Sequence, residues 1–249
     1  MILSFVFLIL GFVYISRMGV NVTPRNDAPV APSEQEQILE HFELEGFDAE
    51  GNQSWHLVGE SAHVSLNKDV YIERNAILTL NRVTRVYADK VFWQHNKSRF
   101  ITNQPVRIVH EGVEILGVGA QGRLNEKFVQ LNENIRMNMS PGTVITAKGP
   151  MRVFQDRNQA ILYRDVWILD PRGAVSSDRM DAFFDAESRQ INQVIATSNV
   201  RISRGEDVTF AQKATYNVLT GSVKLEGAPE IEIADTTEAK EKYGSELEL

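Results

Sequence analysis

The sequence contains no cysteine and no cluster of basic residues. The missing thiol excludes cysteine nucleophiles, cysteine-based zinc sites and disulfides, and it leaves the redox compartment open. Lysine and arginine are scattered singly among acidic residues, and the formal net charge is -7. Binding to the phosphate backbone needs clustered positive charge, so we expect no nucleic-acid partner. Helical periodicity is also scarce beyond residue 38, which argues against an α-helical domain.

The N-terminal segment is the only long apolar run. Residues 2–15 read ILSFVFLILGFVYI, without a charge, and Arg17 follows. The run is short for a spanning helix of roughly 17–25 residues, and it lacks the basic start and the cleavage site of a signal peptide. We predict one uncleaved transmembrane anchor helix over residues 1–20, in preference to a cleaved signal peptide or a buried helix.

The charges beside this segment conflict with export. Arg17 and Arg25 alone would keep the following chain in the cytoplasm. A start codon assigned too late, with loss of a basic N-terminus, would explain both the short span and the missing charges.

Composition divides the rest of the chain into three parts. Residues 21–37 are polar, contain Pro24, Pro29 and Pro32, and predict an extended linker. Residues 38–233 consist of short apolar–polar runs separated by turn residues, as in half-buried strands. Residues 234–249 form an acidic tail that we expect to be disordered or loosely helical.

The strand region contains a repeat of 26–34 residues, in which each unit begins with a small residue that we expect to open a strand. The six small residues are Ala62, Ala88, Ala120, Ala147, Ser177 and Ala211. Each unit continues through a polar turn, a returning strand and a short break, and the breaks are Asn75, Pro105, Asn134, Asp165, Asn199 and Pro229. Such a period is typical of stacked supersecondary units that share one core. We predict an all-β fold, an elongated twisted roll of antiparallel strands with unpaired edges at both ends.

A glycine pattern in the middle of the chain resembles a dinucleotide-binding fingerprint. Residues 114–124 read EILGVGAQGRL, with Gly117, Gly119 and Gly122 in the order G-x-G-x-x-G. The fingerprint requires a helix after the third glycine and an acidic residue about 20 positions on. Strand-like residues follow instead, and the sequence near residue 142 reads PGTV. We interpret the glycines as bend and strand-entry residues and expect no cofactor.

No other motif predicts catalysis. The segment Gly59-Glu-Ser-Ala-His63 resembles a nucleophile elbow, but it ends in histidine and is surrounded by strands. The five histidines have no metal-ligand spacing of the H-E-x-x-H kind, and no pair of carboxylates stands out. We therefore expect no catalytic residue and no metal site, and the protein is not predicted to be an enzyme.

Two segments resemble known families. Residues 42–57, FELEGFDAEGNQSWHL, with ESAHV at residues 60–64, resemble the opening of the membrane-anchored LptC proteins of lipopolysaccharide export. Residues 196–205, ATSNVRISRG, with AQKATYNVLTGSVKLEGAPEI at residues 211–231, resemble the OstA/LptA repeat, although Ser198 replaces its usual glycine. The chain carries more repeats than a simple LptC, so it resembles an LptC-like front joined to an OstA-like back.

This resemblance implies an OstA-like β-jelly roll and a place in the periplasm, held at the inner membrane by the anchor. The implied partners are lipopolysaccharide or a related glycolipid, an inner-membrane ABC transporter, and other OstA-type jelly rolls joined by edge-strand addition. Acyl chains would move along the apolar interior, and the transporter would supply direction. The role of the chain as the anchored component, the bridging component or both stays open.

Alternation along the strands predicts which residues line that interior. The predicted lipid-lining residues are Ile77, Val106, Ile108, Ile135, Met137, Val166, Ile168, Val200 and Ile202. A register error of one residue would turn every side chain to the other face. An alternative function is a membrane-anchored structural or adhesive β-repeat scaffold without lipid cargo. A β-helical polysaccharide enzyme would need a carboxylate cluster on one face and more regular coils, and the sequence has neither.

Overall fold

A computed structural model describes residues 37–232, except for 48–50, 66–68, 81, 98, 111, 124–125, 140–141, 155 and 189. The predicted anchor at residues 1–20, most of the linker and the acidic tail thus lie outside the described residues. Within the described part of the chain, no helix is long and apolar enough to cross a membrane.

The described chain is a succession of β-strands with one short 3-10 turn at His95–Lys97. The strands are β1 (Gln37–Phe47), β2 (Gln53–Val64), β3 (Val70–Arg74), β4 (Ala76–Leu80), β5 (Thr84–Ala88), β6 (Val91–Gln94), β7 (Arg99–His110), β8 (Val113–Arg123), β9 (Phe128–Met139), β10 (Thr143–Ala147), β11 (Met151–Phe154), β12 (Gln159–Asp170), β13 (Gly173–Phe184), β14 (Ile191–Arg204), β15 (Asp207–Asn217), β16 (Val223–Glu226) and β17 (Glu230–Glu232). Every described pairing is antiparallel. The predicted all-β antiparallel class is confirmed.

The sheet is a meander, in which each long strand pairs with the long strands before and after it. Four pairs of short strands, β3–β4, β5–β6, β10–β11 and β16–β17, each continue one another across a break. The seventeen strands therefore form thirteen long strands, each interrupted near its middle. Among the described residues β1 pairs with β2 alone, and β16 and β17 pair with β15 alone, so these strands form the two edges.

In several strands the interruption is a bend with left-handed backbone. Asn75, Asn134, Asp165 and Asn199 have φ angles of 51°, 52°, 54° and 51°. Asparagine and aspartate tolerate this region better than other side-chain-bearing residues, since their short polar side chains can hydrogen-bond locally. All four were predicted as breaks, and the prediction is confirmed.

The bends divide the sheet into two halves that pack face to face. We call the half containing Ile108 of β7 and Ile115 of β8 half-sheet A, and the half containing Ala120 of β8 and Leu131 of β9 half-sheet B. Buried residues of both halves belong to one hydrophobic cluster, with a smaller cluster near β1 to β4. The core of the domain thus lies between the two half-sheets.

Candidate functional site

Half-sheet A carries one continuous row of inward-facing residues. Residues directly opposite each other in an antiparallel pair project from the same face, so the strand registers can be followed from edge to edge. The row is Leu44, Leu57, Leu78, Val86, Ile108, Ile115, Met137, Ile145, Ile168, Val175, Ile202, Thr209 and Ile231. Twelve of its thirteen members are apolar, and the row crosses all thirteen long strands.

Half-sheet B carries a matching row. Its members are Leu39, Ala62, Ile72, Val91, Thr102, Ala120, Leu131, Met151, Leu162, Met180, Ala196, Ala214 and Leu225. Val91 and Thr102 are matched by extending the register of the pair Phe92–Ile101 by one residue. This row is also apolar except for one threonine, and it contains more alanine than the row of half-sheet A. The two rows form the walls of the interior.

The walls are shielded from solvent along the middle of the molecule. Ile115 and Met137 are 0% exposed, and Leu131 and Met180 are 2% exposed. The rows become more exposed at the edges, where Leu44 is 37% and Ile231 is 62% exposed. The interior is therefore dry and closed in the middle, and its apolar surface reaches solvent at both ends.

Eight of the nine predicted lining residues face this interior. Val106, Ile135, Met137, Val166 and Val200 belong to the buried cluster, and Ile108, Ile168 and Ile202 pack against it. Their contact with a lipid stays a prediction.

The predicted orientation of Ile77 is wrong. Ile77 lies opposite Val58 and Tyr87, and Tyr87 lies opposite Arg107, whose side chain is 51% exposed. This row is on the outer face. The residue that follows the bend at Asn75 is Ala76, and Ala76 takes the inward position that Val106 or Ile135 takes in other strands.

The six small repeat residues also face inward, but they do not open strands. Ala62, Ala120 and Ala211 lie within β2, β8 and β15, and Ala88 and Ala147 end β5 and β10. Ala88 lies opposite Val106, Ala147 opposite Ile135 and Ala211 opposite Val200. Small residues beside the bend therefore alternate with large ones along the same face, and this alternation produced the repeat in the sequence.

The glycines of the fingerprint-like pattern lie inside one strand, β8. Gly119 has φ of +71° and forms its bend, while a Cβ on Gly122 would overlap the ring of Phe100 on β7. No helix follows, since residues 128–139 form β9. The glycines therefore serve bending and close packing.

Sequence reasoning missed the row of half-sheet B. Its signal was present in β11, where buried Met151 and Val153 alternate with Arg152 and Phe154. The sequence does not show how the two halves of the bent strands pack against each other, because that packing depends on the angle at each bend.

The elbow-like segment has no catalytic geometry. Ser61 Oγ donates to Oε2 of Glu73 at 3.3 Å, and Nε2 of His63 lies 3.4 Å from Oε1 of the same carboxylate. A hydrolase triad places the histidine between the nucleophile and the acid. Here the carboxylate lies between serine and histidine, so the histidine is not placed to activate the serine.

A pocket of about 310 Å³ lies at the ends of β7, β8 and β9. Its polar wall contains Glu114, which accepts from Nε of Arg107 at 2.7 Å and from Nδ2 of Asn138 at 3.2 Å. These donors, Arg107 first, hold the pKa of Glu114 below its ordinary value. Glu114 is thus a paired carboxylate, unsuited to the role of a general acid near neutral pH.

One of three comparisons with known proteins bears on the family read from the sequence. No curated protein matches the chain. A solved structure with weak similarity is described as LptH, the LptA-homologous periplasmic component of the conserved lipopolysaccharide transport device from Pseudomonas aeruginosa. The identity is 11%, the match covers 61% of this chain and 95% of that one, and the TM-score is 0.27. Residues 33–140 match the family described as "Lipopolysaccharide-assembly, LptC-related", which confirms the predicted family resemblance for this part of the chain.

Proposed function

We propose that this protein is an inner-membrane-anchored periplasmic component of lipopolysaccharide export. Acyl chains bind between half-sheets A and B and pass from this protein to the next module toward the outer membrane. The observation that carries the proposal is the inward row from Leu44 to Ile231, which offers apolar side chains on nearly every strand. The family match of residues 33–140 supports the same reading.

The inner rows are long. Thirteen strands spaced about 4.8 Å apart give a row of roughly 55–60 Å. A lipid moving along such a row stays in contact with apolar side chains, so its chains need not enter water between steps. Each methylene kept dry contributes about 0.8 kcal/mol, and a polar interruption would therefore act as a barrier.

Methionines are concentrated where the two walls meet. Met137, Met139, Met151 and Met180 are the methionines of the described domain, and all four are in or against the main cluster. Methionine is unbranched and flexible, and it accommodates ligands of irregular shape. These side chains can repack when acyl chains replace the contacts between Met137 on half-sheet A and the wall of half-sheet B.

Both edges suit addition of another sheet. At the N-terminal edge Ile38, Leu44 and Phe47 are exposed, and at the C-terminal edge Val223 and Ile231 are exposed. An edge strand offers unpaired backbone groups as well as apolar side chains. A neighbouring OstA-type jelly roll that adds a strand here would extend both inner rows, with an ABC transporter supplying the energy at the membrane end.

Site-specific photo-crosslinking tests the proposal. A crosslinker at Met137, Ile168 or Met180 should capture lipopolysaccharide in cells, whereas one at the outward neighbours Arg136, Trp167 or Arg179 should not. Capture should also depend on an active export ATPase. Capture from the outward positions alone would overturn the assignment of the interior.

The alternative is a membrane-anchored scaffold without lipid cargo. The close packing of the two walls, with Ile115 and Met137 fully buried, is the observation that favours it. Native mass spectrometry of the detergent-purified full chain separates the two functions. Lipid transport predicts a bound glycolipid that is lost when Met137 is replaced by a charged residue, and a scaffold predicts none.

A further inference from the structure

The outer face of half-sheet B carries a stack of arginine and phenylalanine side chains. The guanidinium of Arg123 lies 5.8 Å from the ring centre of Phe128, and that of Arg157 lies 5.0 Å from the ring centre of Phe154. The two rings are 5.3 Å apart and tilted by 43°. These four side chains therefore form one continuous array in the order cation, ring, ring, cation.

A second stack lies beside the first. The ring of Tyr163 has two guanidiniums against it, those of Arg152 and Arg179, each 5.3 Å from its centre. Arg152 and Phe154 are alternate residues of β11 and project from the same face, so the two stacks are neighbours. We call these seven side chains the arginine–aromatic strip.

Three of the four arginines have a carboxylate partner. Arg123 is paired with Glu126 at 2.5 Å, Arg157 with Asp156 at 3.9 Å, and Arg179 with Asp181 at 2.6 Å. Arg152 is held by a neutral group instead, since its Nε donates to Oε1 of Gln130 at 2.8 Å. Arg152 has no ion pair within the described part of the chain, so the strip has a local excess of positive charge although the chain carries -7.

This arrangement suits phosphate. Arg179 donates from both Nε and Nη2 to Asp181, but only Nε of Arg152 and of Arg157 is engaged, by Gln130 and Asp156 respectively. The terminal N–H groups of Arg152 and Arg157 can therefore donate in pairs, the geometry that phosphate oxygens accept. The aromatic contacts also reduce the side-chain freedom that would be lost on binding. The side chain of Arg157 is 66% exposed, which leaves its donors accessible to a ligand.

We infer that the arginine–aromatic strip binds the phosphate groups of a phosphorylated saccharide. The strip begins at the hairpin ends between β8 and β9 and between β11 and β12, at the rim of half-sheet B furthest from the bends. A glycolipid with its acyl chains between the half-sheets would present its head group at this rim, and in this respect the inference rests on the proposed function. A long polyanion would be repelled by the net charge of -7, whereas a small ligand feels only charges within about 8 Å.

Calorimetry with a deacylated, phosphorylated oligosaccharide prepared from lipopolysaccharide tests the inference on the full chain in detergent. The double variant Arg152→Gln/Arg157→Gln should weaken binding by about tenfold or more, as expected for the loss of charge-assisted hydrogen bonds. The control is Arg107→Gln, because Arg107 is also stacked on an outward ring, Tyr87 at 5.2 Å, but lies on half-sheet A. The control should bind as the native chain does. Dephosphorylation of the oligosaccharide should weaken its binding to the native chain and to the control alike.

The inference would be overturned if the double variant bound the oligosaccharide as tightly as the control does. It would also be overturned if the native chain bound the dephosphorylated sugar as tightly as the phosphorylated one. Tighter binding of a single-stranded oligonucleotide or of vesicles of anionic phospholipid would overturn it as well, since either would assign the strip to another partner. The probe contains no acyl chain. A failure of lipid crosslinking in the interior therefore leaves this test unaffected, and a failure of this test leaves lipid transport in the interior standing.

Discussion

Met137 of β9 lies directly opposite Ile145 of β10, so the inner row of half-sheet A passes without a gap across residue 140, where the family match ends. The outer edge of β9 is paired along most of its length, by β10 on one side of the bend and by β11 on the other. The chain beyond residue 140 thus extends the same interior by further strands. Because of this extension, the exposed C-terminal edge of the sheet is formed by β16 and β17 and not by β9.

Adjacent residues of β8 provide a direct test of the two faces. Ile115 is fully buried in the interior and Leu116 faces outward. Ile115→Ala should lower the free energy of unfolding by about 2–5 kcal/mol, the usual cost of emptying a packed core site. Leu116→Ala should cost about 1 kcal/mol or less. Urea unfolding of both variants measures the difference, and equal losses would contradict the assignment of the faces.

The bends should reject β-branched residues. Asn134 has φ of 52°, so Asn134→Gly should be tolerated, while Asn134→Val should lose about 1–3 kcal/mol of stability through backbone strain. Arg136→Val serves as the control, because Arg136 is exposed and lies on the extended part of the same strand. It should change stability by about 0.5 kcal/mol or less. A tolerated valine at position 134 would show that the bend is not needed.

Two glycines have similar φ angles but different surroundings, so alanine substitutions at the two positions separate backbone strain from steric overlap. Gly149 and Gly112 have φ of +91° and +84°, but a Cβ on Gly149 would overlap the carbonyl oxygen of Asn132, and one on Gly112 would meet nothing within 4 Å. Gly112→Ala should cost about 1 kcal/mol from strain alone. Gly149→Ala should cost about 3 kcal/mol or more, since overlap adds to strain. Thermal unfolding that gave the same loss for both would refute the close approach of β9 to the bend at residue 149.

The C-terminal edge should loosen in acid. Lys213 and Lys224 donate to Glu226 at 2.9 and 3.0 Å, and these bonds lower the pKa of Glu226 from 4.5 to about 2. A carboxyl group with a depressed pKa in the folded state stabilises that state above its unfolded pKa. This contribution is therefore complete above about pH 4.5 and is lost as the pH falls toward about 2.

Hydrogen exchange of the β16 amides across that pH range measures the effect. Glu226→Gln should make β16 exchange faster at neutral pH and should remove the acid dependence. Glu230→Gln, at an exposed residue of β17, is the matched control and should leave β16 unchanged. An acid dependence that persisted in Glu226→Gln would locate its cause elsewhere.

The bends and most of the inward residues could be predicted because both follow a local rule. The residue after each break faces inward, as Val106, Ile135, Val166 and Val200 do. Ile77 was misassigned because the residue after Asn75 is alanine, and the first large apolar residue is not the first inward one. Half-sheet B was missed for a different reason. Its contacts with half-sheet A join residues distant in sequence, and their partners depend on the angle at every bend.

The bends of successive strands lie side by side and form one line across the sheet. Backbone hydrogen bonds run from strand to strand within each half and also along the line of bends, from Asn134 N to Lys148 O and from Lys148 N to Arg164 O. A change of the angle at the bends would act on these few bonds, and the pairing away from the bends would be kept. Such a change would expose side chains of the shared buried cluster, such as Met137 and Met180.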